Sequence, residues 1–428
     1  MKQSPPYFNR LFLKNVRCFA EAEIPLDPRM TVIIGGNGAG KTTIVECLAS
    51  MTHGDEEGLI TFPFRRKTKS GEMALYDQGS TKPAATWKGA TRKRLPPSRY
   101  LLAYGRYRRV FDPDEQKAPQ TFEVSLTNLE SHAHRDRTTT LRRPDNNLYA
   151  DLSQYLVTLH EARSEARMDH IWLQLNKSLS DVGQSISGIE VIVRDGRNVP
   201  MVLRHGLHLE LGELSDGYQA LLVIIFDLIL RYAFLFPQLD KPLEGAATVV
   251  IDEVDLHLHP RWQRTVIQQL MTLFPNTQFV ITTHSPSVLQ GVLDMDGGSV
   301  IVLDEDQKTK EAKPRSLTRK FMQSLKGAEV GSLLVEDKLF DLPSRYSPEQ
   351  GEVEKTVDEL QAKVKKGVAT DTDHQELSKH LQHFQQLVSD EDKRRADTSQ
   401  LSKLTSLQTD FAKSLIKELR DLKKGGPK

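Results

Sequence analysis

The sequence predicts an α/β fold whose parallel sheet carries polar functional residues at one edge. Three stretches support this prediction, and each is a short apolar run that ends in polar residues. They are residues 31–34 before GGNGAGKTT (35–43), residues 248–251 before Asp-Glu, and residues 278–283 before His-Ser-Pro. Such runs are typical of buried parallel strands, whose carboxyl ends meet at one edge of the sheet. We therefore expect the three polar groups to lie close together.

The first stretch has the spacing of a phosphate-binding loop. Gly35 is followed by four residues and then by Gly40-Lys41-Thr42, between a predicted strand and a helical-looking segment. The glycines let backbone N–H groups turn toward a β-phosphate, and the helix N-terminus adds positive potential. We expect Lys41 to reach the β- and γ-phosphates and Thr42 to ligate Mg²⁺. The other predicted nucleotide contacts of this loop are Asn37, Gly38, Ala39 and Thr43.

The second and third stretches supply the acids and the histidine that such a site needs. Asp252 is the predicted Mg²⁺ ligand, and Glu253 is the predicted general base that polarises the attacking water. His284 follows the third run and is expected to reach the γ-phosphate, although a histidine in a loop is by itself more often structural.

Residues 214–219, LSDGYQ, precede the most apolar run of the chain, 221–236. The Ser215 hydroxyl and the Gly217 amide would lie at a helix N-terminus, which is suited to an anion, and an ordinary helix cap is the alternative. The run contains Asp227 and Arg231 and is shorter than a bilayer span of about 20 residues. It therefore predicts a buried helix, not a membrane segment.

Read in order, GGNGAGKTT, LSDGYQ, VVIDEVDLHLHP and TTHSPS resemble the motifs of the ABC-type ATPases, in the branch that holds the SMC, Rad50, RecF and OLD proteins. The resemblance covers roughly residues 8–55 and 186–304. It implies a P-loop ABC-type ATPase head, a mixed sheet with helices, that uses ATP and Mg²⁺. It also implies that 35–42 is Walker A, 214–218 the signature, 248–253 Walker B, 255–259 the D-loop with Asp255, and His284 the switch histidine.

In this family the signature of one subunit closes over the Walker A nucleotide of another. The resemblance therefore implies a homo-oligomer, at least a dimer, in which Ser215 and Gly217 act on the partner's nucleotide. Two positions depart from the family pattern: Asp216 replaces a glycine and Tyr218 a glutamine. A carboxylate near a triphosphate is unfavourable, so turnover is expected to be slow or gated. No clear Q-loop is present, and Arg106 could assist at a phosphate.

The chain is predicted to have four parts: an N-terminal part of the head (1–53), a basic insertion (54–150), a helical subdomain with the rest of the head (151–310), and a helical C-terminal region for oligomerisation or partner binding (311–428). Within 62–109 there are thirteen Lys or Arg against two acids, interleaved with aromatic residues. This pattern is typical of a DNA contact, and a basic loop that faces a protein partner is the alternative.

Composition adds little about partners, because 58 basic residues balance 57 acidic ones. Two cysteines without a pairing pattern and the lack of a leader-like segment predict a cytoplasmic location without a membrane partner. Two other patterns in the sequence favour neither a nuclease nor a metal site. The acids of 336–337 and 371–373 superficially resemble those of a Toprim nuclease, but they lack buried strands. Of the two histidine pairs, His257/His259 lies in the D-loop and His132/His134 lacks a third ligand.

Within the ABC-type branch, four features resemble the ATPase subunit of Septu-type antiphage defence systems. They are a short insert, ELSDGYQALL, AYGRYRR, and a tail that begins LLVEDKLFDLPSRYSPE. The resemblance implies ATP-driven dimer closure that controls an associated HNH nuclease, with no nuclease in this chain. The alternatives are a DNA-repair ATPase of the RecF or SMC type, the nucleotide-binding subunit of a transporter, and an ATP-gated scaffold.

Overall fold

The structure is a computed structural model of the 428-residue chain. It describes residues 7–52, 70–105, 148–182, 186–295, 297–306, 308–309, 311–328 and 330–334, together with residues 336, 339, 360, 363 and 370. The chain divides into two compact units, residues 1–342 and 343–428. All of the helices and strands given below belong to the first unit.

The strands of the described residues, numbered in chain order, are β1 (Phe8–Val16), β2 (Phe19–Pro25), β3 (Met30–Gly35), β4 (Glu72–Asp77), β5 (Pro83–Lys88), β6 (Thr91–Lys93), β7 (Leu101–Tyr104), β8 (Ile186–Arg194), β9 (Arg197–Arg204), β10 (Leu207–Glu210), β11 (Thr248–Ile251), β12 (Gln278–Thr282), β13 (Ser299–Glu305) and β14 (Ala312–Ser316). The helices are α1 (Lys41–Ser50), α2 (Leu148–Glu161), α3 (Ala166–Val182), α4 (Asp216–Leu235), α5 (Pro260–Gln263), α6 (Val266–Leu273), α7 (Pro286–Leu293), α8 (Arg319–Ser324) and α9 (Val330–Leu334).

The central sheet has the strand order β14-β13-β3-β12-β11-β7. Every pairing in it is parallel except that of β13 with β14. All residues of β3, β7, β11 and β12 are buried, which explains why these strands read as continuous apolar runs in the sequence. The predicted α/β fold with a mixed sheet and helices is confirmed.

Two further sheets among the described residues are antiparallel. The first has the order β2-β1-β4-β5-β6 and packs its apolar side chains with those of α1 in one core. The second has the order β10-β9-β8, and the β8–β9 turn is formed by Asp195 and Gly196, with φ values of 52° and 74°. This turn confirms the predicted hairpin, because both residues adopt the left-handed conformation that a two-residue hairpin loop requires.

Helix α4 is buried along its length in the larger core. Its charged pair, Asp227 and Arg231, is enclosed with it: Arg231 Nε donates to Asp227 Oδ2 at 2.7 Å, and Tyr104 Oη donates to the same oxygen at 2.6 Å. Residues 217–235 are long and apolar enough to cross a membrane, but 94% of that window is buried inside the protein. The predicted buried helix is confirmed.

The structure refines two other expectations. The helix predicted over 151–180 is two helices, α2 and α3, which are separated by a 3-10 turn at Ala162–Ser164. Residues 72–104, assigned to the basic insertion, form β4–β7, of which β4 pairs with β1 and β7 with β11. Part of the predicted insertion is therefore built into the head. The four-part division of the chain stays a prediction, and the C-terminal residues from 371 onward lie outside the described part.

Candidate nucleotide site

The P-loop begins at the carboxyl end of β3, which lies between β13 and β12 in the central sheet. Gly38 and Gly40 have φ values of 81° and 104°, in the left-handed region that glycine adopts without strain. Gly40 also leaves no space for a side chain, since a Cβ there would lie 2.6 Å from Cys18 Sγ. The loop then enters α1 at Lys41, so the helix N-terminus faces the site as predicted.

Lys41 is a buried cation at the start of α1, and its exposed fraction is 5%. Its Nζ donates to the carbonyl oxygens of Gly35 at 2.8 Å and Gly36 at 3.0 Å, and it lies 3.4 Å from His284 Nδ1. Burial lowers the pKa of the Lys41 ammonium, and three nearby carboxylates oppose this shift, those of Asp252, Glu253 and Asp255. The ammonium is thus held at the P-loop by contacts that phosphate oxygens could replace.

Asp252 lies directly after β11 and joins three elements. Thr42 Oγ1 donates to Asp252 Oδ2 at 2.9 Å, Thr282 Oγ1 donates to Asp252 Oδ1 at 2.6 Å, and the Asp252 amide donates to the Tyr104 carbonyl at 2.8 Å. A hydroxyl oxygen and a carboxylate oxygen therefore lie side by side. Oxygen donors of this kind fit Mg²⁺, so Thr42 and Asp252 are the residues that could hold it.

Glu253 follows at a turn in the chain. Its φ is 49°, a left-handed conformation that costs a non-glycine residue about 1–3 kcal/mol. The turn is held by the Glu253 amide, which donates to Thr282 Oγ1 at 2.8 Å, and by the Val254 amide, which donates to the Thr282 carbonyl at 3.1 Å. Both groups of Thr282 thus keep the acid at the carboxyl edge of the sheet, next to Asp252.

His284 comes directly after β12 and its flanking threonine. Burial, followed by the positive charge of Lys41, lowers the pKa of the His284 imidazole, so the ring is neutral at pH 7. Asp255 fixes this loop, because its Oδ1 accepts from Thr283 Oγ1 at 2.5 Å and from the His284 amide at 3.4 Å. Asp255 was predicted to contact nucleotide, and the contacts seen within the chain are with the histidine loop.

The signature residues lie at the start of α4. Ser215 is the N-cap residue, exposed, and its side chain makes no capping hydrogen bond. Gly217 packs against the D-loop so closely that a Cβ would lie 2.5 Å from the His257 carbonyl oxygen. The Tyr218 ring makes an edge contact with Trp262 at 4.0 Å between centroids. The tyrosine that replaces the usual glutamine therefore packs inside its own chain; the side chain of Asp216 lies outside the described part.

Two residues at the site were not predicted from the sequence. Thr282 holds both Asp252 and the Glu253 turn, and the available signal was a threonine at the carboxyl end of a largely apolar strand. Arg17, at the tip of the β1–β2 hairpin with φ of 41°, approaches α1. Its guanidinium pairs with Glu46 at 2.5 Å and donates to Thr43 Oγ1 at 3.5 Å. A basic residue in a two-residue turn was the available signal.

The other groups singled out in the sequence either have a structural role or lie outside the described residues. His259 Nδ1 accepts from the Arg261 amide, so this histidine caps α5, and among the described residues no cluster of three metal-ligating side chains occurs. Residues 330–334, next to the Toprim-like acids, are a helix, not a strand. Arg106, His132, His134, the acids of 371–373 and the basic residues of 62–69 lie outside the described residues.

The described part of the basic stretch contains both structural and exposed cations. The Arg92 guanidinium lies 4.3 Å from the Trp87 ring centroid and bonds the Ser50 carbonyl. Arg99 binds Asp77 at 2.7 Å and lies over the Phe8 ring. These arginines stabilise the head. The exposed lysines are Lys82, Lys88 and Lys93, of which Lys88 pairs with Glu72 at 3.3 Å.

The central sheet and its P-loop define a nucleotide-binding protein of the P-loop α/β class. A family model described as "AAA domain, putative AbiEii toxin, Type IV TA system" matches residues 30–290, more than half of the chain. The chain belongs to this family.

Similar proteins support the resemblance to Septu-type ATPases that the sequence motifs indicate. The chain is 27% identical to the Septu protein PtuA of Bacillus mycoides over 329 residues, which are 73% of this chain and 40% of that protein. It is 45% identical to the "Retron Vc95 probable ATPase" of Vibrio cholerae over 91 residues, 21% of this chain and 18% of that protein. The chain thus matches between about a fifth and two-fifths of the length of these relatives. The predicted resemblance to Septu-type ABC ATPases is confirmed.

Among solved structures, a SmcHead bound to the C-winged helix domain of ScpA matches this chain. It matches with 14% identity and a TM-score of 0.45, over 74% of this chain and 99% of that one.

Proposed function

We propose that this protein binds and hydrolyses ATP with Mg²⁺, and that it is the ATPase subunit of an antiphage defence complex. The observation that carries the proposal is the meeting of Thr42 Oγ1 and Asp252 Oδ2 at 2.9 Å, beside a buried Lys41 that contacts the P-loop carbonyls. A P-loop that served only as a turn would not need a buried carboxylate and a buried cation at its mouth.

The chemistry follows from the residues at the carboxyl edge. Thr42 and Asp252 would hold Mg²⁺, which would supply positive charge to stabilise the negative charge that develops on the phosphate oxygens. Lys41 exchanges its bonds to the Gly35 and Gly36 carbonyls for bonds to the β- and γ-phosphates. Glu253 accepts a proton from the attacking water. The neutral His284 has one ring nitrogen near Lys41 and offers the other to the γ-phosphate.

Subunit pairing completes the proposed site. Ser215 is exposed at the N-terminus of α4 and does not cap its own helix, so its hydroxyl is available to an anion from outside the chain. We infer that Ser215 and the Gly217 amide contact the nucleotide bound to a second copy. In this arrangement ATP joins two heads, and hydrolysis by Glu253 separates them.

The defence role is proposed from the resemblance to Septu-type and retron ATPases. ATP-driven closing and opening would control a separate HNH-type nuclease in the cytoplasm. Purification with and without the neighbouring open reading frame, followed by plasmid cleavage with and without ATP, tests this part. A co-purifying nuclease whose cleavage responds to ATP is the expected result, and cleavage unaffected by the presence of this subunit would contradict it.

The ATPase assignment has its own test. We expect Glu253→Gln to keep ATP binding and lose hydrolysis, because the glutamine amide cannot accept the water proton, whereas Lys41→Ala loses both. Glu244→Gln and Lys320→Ala, which alter exposed side chains, are the matched controls. Binding is measured by equilibrium titration and hydrolysis by phosphate release. Equal hydrolysis rates in the wild type and Glu253→Gln would reject the assignment of the base.

A DNA-repair ATPase of the RecF or SMC type is the second candidate. The observation in its favour is the set of exposed lysines on the β5–β6 hairpin and its flanks, which suit a phosphate backbone. This candidate predicts tight, ATP-controlled DNA binding by the protein alone, without a nuclease that co-purifies.

A further inference from the structure

One short segment connects the start of the signature helix α4 with the loop that carries His284. This bridge segment, residues 255–263, contains the D-loop and α5. In the proposed dimer, the start of α4 contacts the partner's nucleotide while His284 contacts the chain's own. The bridge segment therefore contacts parts of both composite sites.

On the signature side the contacts are close. The Gly217 Cα faces the His257 carbonyl oxygen with no space for a methyl group. The Tyr218 ring packs on Trp262, and the Arg204 guanidinium lies 4.4 Å from the Tyr218 ring centroid. Close packing of this kind transmits displacement, because a shift of the α4 start would produce overlap at Gly217 or a gap at Trp262.

On the histidine side, the Asp255 carboxylate contacts Thr283 and the His284 amide, and the Gln263 side chain contacts the next residue, Ser285. Gln263 Nε2 donates to the Leu258 carbonyl at 2.9 Å and to the Asp255 carbonyl at 3.4 Å. Gln263 Oε1 accepts from Ser285 Oγ at 2.7 Å. Both ends of the amide are used, one on the D-loop and one on the loop after β12.

Ser285 is the neighbour of His284, and its hydroxyl has two roles. It donates to Gln263, and it caps α7 by accepting from the amides of Ser287 at 3.1 Å and Val288 at 3.3 Å. A hydroxyl that is bonded on both sides has a fixed rotamer and fixes the backbone at its own residue. The position of His284 relative to the D-loop thus depends on the Gln263–Ser285 bond together with Asp255.

We propose that Gln263 is a positioning residue for hydrolysis, which passes movement of the signature helix to His284 through Ser285. Trp262, which contacts Tyr218, and Gln263, which contacts Ser285, are consecutive, so a shift at the first moves the second. The inference rests on the proposed ATPase function. It adds a route by which contact between the signature helix and the partner's nucleotide aligns His284 at the nucleotide bound to its own chain. Gln263 itself does not touch the reacting atoms.

The test is steady-state ATPase kinetics on the full chain with Gln263→Leu, a change of similar size that removes all three hydrogen bonds. We expect kcat to fall about tenfold, because misplacement of a catalytic group by about 1 Å can cost up to a hundredfold. The KM for ATP should stay within about twofold, since the P-loop contacts are untouched. Gln268→Leu, the same substitution at an exposed position of α6, is the matched control and should behave as wild type.

A double-mutant cycle with Tyr218→Leu separates positioning from simple support of the fold. If Tyr218 and Gln263 act along one route, the double variant loses about as much kcat as either single variant. Independent structural damage gives losses that multiply, together with a lower melting temperature. Should Gln263→Leu fail to fold, Gln263→Asn is measured in the same way, because its shorter amide cannot span both loops.

Each outcome decides the question. A kcat within twofold of wild type in Gln263→Leu, or multiplicative losses in the cycle, overturns this inference and leaves the ATPase assignment intact. Absence of any hydrolysis that depends on Glu253 in the wild type overturns the proposed function itself, and this inference with it.

Discussion

The P-loop glycines allow a stability prediction that separates backbone conformation from lack of space. Gly36 has an ordinary φ and open space around its Cα, Gly38 has a φ of 81° and open space, and Gly40 has a φ of 104° and crowded surroundings. Replacing each by alanine adds the same methyl group. The series therefore adds one physical cost at a time.

The magnitudes follow from the geometry. Alanine at any of the three positions stabilises by about 0.4–1 kcal/mol, because it restricts the unfolded chain. At Gly38 the left-handed conformation costs about 1–2 kcal/mol, so the net loss is about 1 kcal/mol. At Gly40 the new Cβ would also meet Cys18 Sγ at 2.6 Å and the Phe19 ring at 2.9 Å. Overpacking costs about 1–3 kcal/mol more, which gives a total loss of about 2–4 kcal/mol.

The assay is urea denaturation of the nucleotide-free protein, with unfolding monitored by tryptophan fluorescence. We expect Gly36→Ala to equal or exceed wild type in its midpoint, Gly38→Ala to fall slightly, and Gly40→Ala to fall most. Adding Cys18→Ala to Gly40→Ala should recover part of the loss, because the thiol is removed while the Phe19 ring remains. A Gly40→Ala midpoint no lower than that of Gly38→Ala would refute the argument from crowding.

Three more predictions follow from contacts described above. Asp227→Ala leaves the Arg231 charge buried without its carboxylate, so the free energy of unfolding measured in urea should fall by about 3–5 kcal/mol. If the Asp227→Leu/Arg231→Met double variant, which has no buried charge, lost as much stability, this explanation would be wrong. The folded-state pKa of His284 is lowered, so the unfolded chain takes up the proton first as pH falls below about 6.5. Stability without nucleotide or Mg²⁺ should therefore decrease from pH 7.5 to pH 5.5, and the decrease should be smaller in His284→Gln; an identical decrease in both proteins would count against it. Exchange of three exposed lysines for alanine should weaken DNA binding and reduce the slope of log affinity against log salt concentration by about 2–3. Exchange of three exposed lysines elsewhere on the protein is the control. An unchanged slope would indicate that the hairpin faces a protein partner. The tested residues are Lys82, Lys88 and Lys93, and the control residues are Lys241, Lys313 and Lys320.

The sequence predicted the parts of the site that local pattern determines. Strands buried on both faces must be apolar throughout, so β3, β11 and β12 were recognised as strands, and the polar residues that follow them were placed at one edge. Lys41, Thr42 and Asp252 lie together for this reason. Helix α4 and the Asp195–Gly196 turn were also found, because apolar length and turn chemistry are local signals.

Pairing between strands that are distant in the chain leaves no local pattern in the sequence. Strand β7 has four residues and pairs with β11, about 150 positions later, so residues 72–104 were assigned to an insertion instead of the head. The same limit concealed the roles of Thr282 and Gln263, whose partners are set by loops that meet only in the folded chain. Tyr218 was recognised as a departure from the family pattern, but its packing on Trp262 could not be read from spacing.

The position of β3 in the central sheet has a consequence for synthesis of the chain on the ribosome. Its two neighbours, β12 and β13, end about 250 and 270 residues after it. The antiparallel sheet of β1, β2, β4, β5 and β6 can form once residue 93 has emerged, since all of its strands lie within 8–93. The P-loop strand β3 must wait until the chain has been made beyond residue 282 to pair with β12, and beyond residue 305 to pair with β13. During that interval, at about 5–20 residues per second, the unfinished nucleotide site is exposed to chaperones and to other nascent chains.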